Sequence, residues 1–142
     1  MPSFTVQLPN LLNSGPLVTV QVAVGSTAEA AMQAAGVPTP SPLPATAMID
    51  TGASASVIRQ GVAAQLGLYP IGVSYITTPS STNVPCNEYL MRFVFPNQVV
   101  YEGTAIETPL QGQNIDCLIG RDILAHAVLV YIGYGNQFTL SF

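Results

Sequence analysis

The residues best placed to do chemistry are Asp50-Thr51-Gly52-Ala53-Ser54, entered through the apolar run Ala47-Met48-Ile49. A carboxylate delivered by a buried strand can hold and activate a water molecule. Thr51 can hydrogen-bond across a symmetric partner and lock two such loops together. Gly52 has no Cβ, so its backbone can approach a substrate closely. Taken alone, Asp-Thr-Gly also makes an ordinary turn. Hydrolysis by carboxylates needs two of them sharing a proton. The motif occurs once in this chain of 142 residues, which is half of such a site.

A second segment, Cys117-Leu118-Ile119-Gly120-Arg121-Asp122-Ile123-Leu124, gives the first one its context. Together the two motifs resemble the retropepsins, the retroviral-type aspartic proteases. There a hydrophobic-hydrophobic-Gly strand passes behind the catalytic loop, and a short helix begins with Gly-Arg-Asp or Gly-Arg-Asn. Phe138-Thr139-Leu140-Ser141-Phe142 is similar to the terminal strand of that family and Phe4-Thr5-Val6 to its first strand. In the family these termini interleave between subunits. The resemblance spans most of the chain except an insertion from about Ser26 to Pro44.

The resemblance implies a single domain over residues 1–142 with a retropepsin-like acid protease fold, a single-lobe, closed, β-barrel-like unit. It implies an endopeptidase that acts as a homodimer on extended peptides with apolar residues near the cut, with neither metal nor cofactor. Asp50, Thr51 and Gly52 would form the catalytic loop. Ala53 and Ser54, with Ile76, Thr77, Thr78, Pro79 and Ser80 of a closing flap, would contact substrate. Ile119, Gly120, Arg121 and Asp122 would support the loop, and Val57 and Ile58 would line or support pockets. Two Asp50 carboxylates side by side cannot both ionise readily, so they titrate as a pair.

Two departures from the retroviral pattern stand out. The flap tip, Thr77 to Thr82, has no glycine. Ser54 stands where retroviral enzymes often carry an acid that pairs with the arginine, so Arg121 needs another acceptor, a backbone carbonyl or Asp122. Cellular and bacterial relatives often read Asp-Thr-Gly-Ala-Ser. Asp122 is expected to serve the start of its helix, and Asp116 to be an exposed strand-edge charge. The alternatives are a catalytically silent dimerisation or peptide-binding module of the same fold, and a fragment processed from a retroelement polyprotein.

Composition narrows the partners. With three arginines and no lysine, the chain lacks the basic footprint that nucleic-acid binding requires. No apolar run is long enough for a membrane span. Without a secretory signal pattern, Cys86 and Cys117 read as buried free thiols of a cytoplasmic protein. His126 has no partners at metal-ligand spacing and reads as a structural residue at the end of a short helix.

The elements that must position the loop are mostly strands. Phe4–Leu8 reads as an edge strand before Pro9, and Leu17–Val24 alternates as a core strand. Ser26 and Glu29 have capping-box spacing for a short alanine-rich helix ending at Gly36. Prolines 38, 40, 42 and 44 make an extended spacer or a proline-recognition ligand. Ala45–Ile49 delivers Asp50. Val57, Ile58, Val62 and Leu66 suggest a brief helix or wide turn. Val73–Thr78 and Glu88–Phe95 are strands joined by the polar tip Pro79–Pro85. Val99–Glu107 and Ile115–Ile119 are further strands, followed by a helix over Ile123–His126. Val128–Tyr134 and Gln137–Phe142 form a hairpin about Gly135-Asn136. Many short strands and little helix predict an all-β domain.

Overall fold

Alternating residues become strands wherever one face can be buried. In Leu17–Val24, Val18, Val20 and Val22 are buried while Thr19 faces out. The computed structural model describes residues 1–110 and 112–142. In chain order the elements are β1 (Ser3–Gln7), α1 (Leu11–Ser14), β2 (Leu17–Val24), α2 (Ser26–Ala34), β3 (Leu43–Ile49), β4 (Val57–Arg59) and α3 (Val62–Gln65). Then come β5 (Gly72–Thr78), β6 (Ser81–Val94), β7 (Val100–Thr108), β8 (Cys117–Ile119), α4 (Arg121–Leu124), β9 (Val128–Ile132) and β10 (Gln137–Ser141). The expected all-β class is what the chain adopts. Among the described residues no helix is long and apolar enough to cross a membrane.

One sheet runs β2-β3-β8-β4-β7-β6-β5, and an additional β2–β6 pairing closes its first six strands into a ring. A second, antiparallel sheet, β1-β10-β9, packs on the same core through Phe138 and Leu140, both fully buried. Phe95 joins the two, with ring centroids 6.1 Å from Phe4 and 4.9 Å from Phe142.

Several local expectations give way to tertiary partners. Val57–Arg59 is a strand and only Val62–Gln65 is helical, because β8 on one side and β7 on the other offer ladders to β4. β3 begins at Leu43 and so includes Pro44. That half of β3 pairs with β2, while β8 reaches only Ala47–Ile49, which leaves the edge-like position a proline tolerates. Residues 37–42 carry no regular structure, as the proline spacing predicts. The β5–β6 hairpin turns at Pro79-Ser80, since Ser81–Pro85 already belongs to β6. A bulge lies between Ile76 and Thr78.

The capping box does not form. Gly25 is the N-cap of α2, and Glu102 of β7 does the capping: its Oε1 accepts from Ser26 N at 2.6 Å and Ser26 Oγ at 2.8 Å. These bonds from Ser26, with Arg92 beside it, hold the Glu102 carboxyl below its ordinary value. Glu29 turns instead to Arg92, at 2.8 Å.

The termini also differ from expectation. β10 pairs with β1 along one edge and with β9 along the other, all within one chain, so it has no edge left to interleave with a second subunit. A 3-10 turn at Gly133–Gly135 and Asn136 at φ 52° join β9 to β10, and Asn136 Oδ1 accepts from Leu11 N at 3.0 Å. Cys86 and Cys117 are free and buried as expected. Burial, then the Asp116 charge, pushes the Cys117 thiol up to about 12.

Candidate active site

Asp50 is placed by strand pairing. β3 runs parallel to β8, with Ile49 opposite Ile119, and Asp50 N donates to the Ile119 carbonyl at 2.9 Å. The chain then turns, with Ala53 N donating to the Asp50 carbonyl at 3.2 Å. Gly52 N donates to Asp50 Oδ1 at 2.9 Å, fixing the carboxylate within its own loop. A Cβ on Gly52 would stand 3.1 Å from that oxygen, tight enough to disturb it. The Asp50 side chain is half-buried, and Thr51, Gly52 and Ser54 are exposed. The carboxylate is therefore held from behind and open in front. Among the described residues, its Oδ2 has no hydrogen-bond partner within the chain.

The support behind the loop centres on a residue the sequence reading missed. Ser56 is fully buried. Its Oγ accepts from Gly120 N at 2.9 Å and donates to Asp122 Oδ1 at 2.7 Å, while its N–H donates to Asp122 Oδ2 at 2.9 Å. Its carbonyl accepts from Ile106 N at 3.0 Å, which adds β7 to the junction. Ser56 thus joins the loop, β8, α4 and β7. The only sequence signal was a hydroxyl just before an apolar strand, and that reads equally well as a surface turn.

Gly120 is required by proximity. A Cβ there would lie 2.6 Å from the Ala55 carbonyl carbon and 2.7 Å from its oxygen, backbone atoms that cannot swing aside. Arg121 finds the expected backbone acceptor: Nη1 donates to the Thr51 carbonyl at 2.9 Å, and its own N–H donates to the Ala53 carbonyl at 2.8 Å. Asp122 does more than serve a helix start. It accepts from Ile123 N at 2.8 Å and from both donors of Ser56. After burial, its charge is the second cause holding the Tyr101 phenol above its ordinary value.

Asp116 is not a free edge charge. Its Oδ2 accepts from Thr46 N at 2.9 Å, and its Oδ1 pairs with Arg59 Nε at 3.3 Å. Arg59 also donates to the carbonyls of Gln113 and Ile115. This knot ties β3, β4 and the approach to β8 just below the loop.

The remaining predicted residues divide. Ile119 and Ile58 are fully buried and act as support. Val57 and Ala53 are half-buried beside the loop. In the hairpin, Ile76 and Thr78 are half-buried, Thr77, Pro79 and Ser80 are exposed, and Thr78 Oγ1 accepts from Ser81 N at 3.1 Å. β5 stands four strands from β8 by either route round the ring, so strand pairing does not hold the hairpin to the loop.

This arrangement presents one fixed, accessible carboxylate per chain, suited to acid–base work when a second acid is brought beside it. Comparison with known proteins agrees with that chemistry. The model of a family described as aspartyl protease matches residues 39–123, from the proline spacer through α4. A crystal structure of a retropepsin-like aspartic protease from Rickettsia conorii aligns with a TM-score of 0.49 at 13% identity, covering 97% of this chain and 92% of that one. No curated protein matches the chain.

Proposed function

The chain belongs to the aspartyl protease family, and from that premise we propose that it is an aspartic endopeptidase completed by dimerisation. Asp50 of each of two copies forms the catalytic pair. One carboxylate is ionised and takes a proton from a water held between them. The other is protonated and donates a hydrogen bond to the scissile carbonyl. Water oxygen bonds to the carbonyl carbon to give a gem-diol. The C–N bond then breaks as a proton passes to the amine nitrogen, leaving a carboxylic acid and an amine and restoring the pair.

The observation that carries this reading is the Asp50 loop itself. Its carboxylate is fixed by Gly52 N on one side and half-open on the other, and the loop rests on Gly120, Arg121 and Ser56. A retained fold without chemistry has no need of that open carboxylate. Extended peptides are the fitting substrates, with the β5–β6 hairpin closing over them and Ile76, Thr77, Thr78, Pro79 and Ser80 nearest the bound chain. Thr51, Ala53 and Ser54 line the approach.

Asp50→Asn tests the mechanism. It should lower peptide cleavage by at least about 10²–10⁴-fold, the usual range for losing a general acid–base group. Circular dichroism and sedimentation should be unchanged. Full activity in Asp50→Asn refutes the mechanism.

A further inference from the structure

On the reading just given, the site is incomplete until a second copy brings its own Asp50 alongside. The two-fold axis must therefore pass beside the Asp50 loop, and the surface that meets the second copy must be rigidly linked to that loop. β10 cannot supply it, because both of its edges are filled within the chain.

Among the described residues, the outer edges of β1, β5 and β9 are unpaired. β1 exposes Ser3, Thr5 and Gln7 and is flanked by Pro2 and Pro9, the marks of an edge guarded against pairing. β5 exposes Val73 and Tyr75, but it lies four strands from β8 in both directions round the ring. β9 differs from both. Val128, Val130 and Tyr131 are 50%, 46% and 50% exposed. Neither a charge nor a proline occurs from Ala127 to Phe142, so nothing guards this edge.

β9 is also tightly linked to the loop. Between α4 and β9 the chain has no slack: Ala125, His126 and Ala127 each donate backwards, to the carbonyls of Arg121, Ile123 and Leu124, at 2.8, 3.0 and 3.0 Å. α4 itself is held to the loop by Arg121 and Asp122.

We propose that the second copy docks along β9, strand against identical strand, antiparallel and centred on Val130. The two β1-β10-β9 sheets then become one six-stranded sheet across the axis. An antiparallel pair of the same strand obeys two-fold symmetry, and the middle residue of Val128–Ile132 meets its own copy. Val128 and Val130 lose their exposure there, as an apolar patch at an obligate contact should.

Val130→Lys sets two ammonium groups opposite each other. Sedimentation at micromolar concentration should show a dimer for the wild type and for Thr5→Lys on the β1 edge, and a monomer for Val130→Lys with unchanged circular dichroism. Cleavage by Val130→Lys should fall at least tenfold. Val130→Cys provides a second test that tolerates any loss of fold in the lysine variant. Opposed residues in an antiparallel pair have Cα atoms about 4.5–5.5 Å apart, within disulfide reach. Mild oxidation should link two chains through position 130, and the linked dimer should still cleave peptide. A dimeric Val130→Lys, or an unlinked Val130→Cys, overturns the β9 interface while leaving the aspartic mechanism to the Asp50→Asn test. A wild type that cleaves as a monomer overturns both.

Discussion

Ser56→Ala is the most direct test of how the loop is held. The substitution removes one hydroxyl and two hydrogen bonds from a fully buried position. Gly120 N is left without its acceptor, which costs about 1–3 kcal/mol for a buried unsatisfied donor. The lost bond to Asp122 costs less than a fully buried charged bond, about 1 kcal/mol, because Asp122 is partly exposed and keeps its bonds from Ser56 N and Ile123 N. The sum is about 2–4 kcal/mol. For a domain of this size that lowers Tm by roughly 10 °C, at about 3–4 °C per kcal/mol. Urea denaturation with a double-mutant cycle against Asp122→Ala is the assay. Both substitutions break the same Oγ–Oδ1 bond, so their effects should fall short of additive by at least about 0.5 kcal/mol. Catalysis should suffer mainly in kcat, since the hydroxyl touches the loop and not the peptide. A loss below about 0.5 kcal/mol, or strict additivity, would refute the reasoning.

Gly120→Ala should be more severe for activity, because the new methyl group meets the Ala55 backbone at 2.6 Å and must push the loop off β8. A cost of about 1–3 kcal/mol in chemical denaturation is expected, with cleavage largely lost; an active, undiminished variant contradicts the close-approach argument. Acid should loosen α2 through Glu102. Its folded carboxyl lies below the ordinary value of 4.5, so its stabilising contribution is complete above that value and disappears as pH falls through the lower folded one. Hydrogen exchange should show α2 amides losing protection over that range, and Glu102→Gln should remove the pH dependence; equal protection at pH 6 and pH 3 would count against the cap.

Much of the site was legible in the sequence because its parts are local. Asp50-Thr51-Gly52 and Gly120-Arg121-Asp122 are short runs whose residue types follow from turn geometry and close approach. The all-β class followed from alternation in segments such as Leu17–Val24. What failed was wherever a distant strand outbid a local preference. Val57-Ile58 has helix-like company, yet two open ladders made it β4. Ser26 and Glu29 are spaced to cap each other, yet Glu102 and Arg92 on neighbouring strands took them apart. Ser56 was invisible for the same reason. Its importance comes from partners at positions 120 and 122, which no local pattern reveals. The terminal strand was recognised as a strand, but pairing partners are global facts, and β10 turned out to be the middle of its sheet.

The parallel pairing of β3 with β8 also carries a consequence for timing. The strand that presents Asp50 is made early, and its neighbour Cys117–Ile119 comes near the end of the chain. Long-range parallel pairing is slow to form, and a chain leaving the ribosome cannot make it until both partners have emerged. Until then, neither the Gly120 N–H nor the Arg121 guanidinium is there to shape the loop. Synthesis order alone thus keeps a nascent chain from cutting its surroundings, with no propeptide required for that delay.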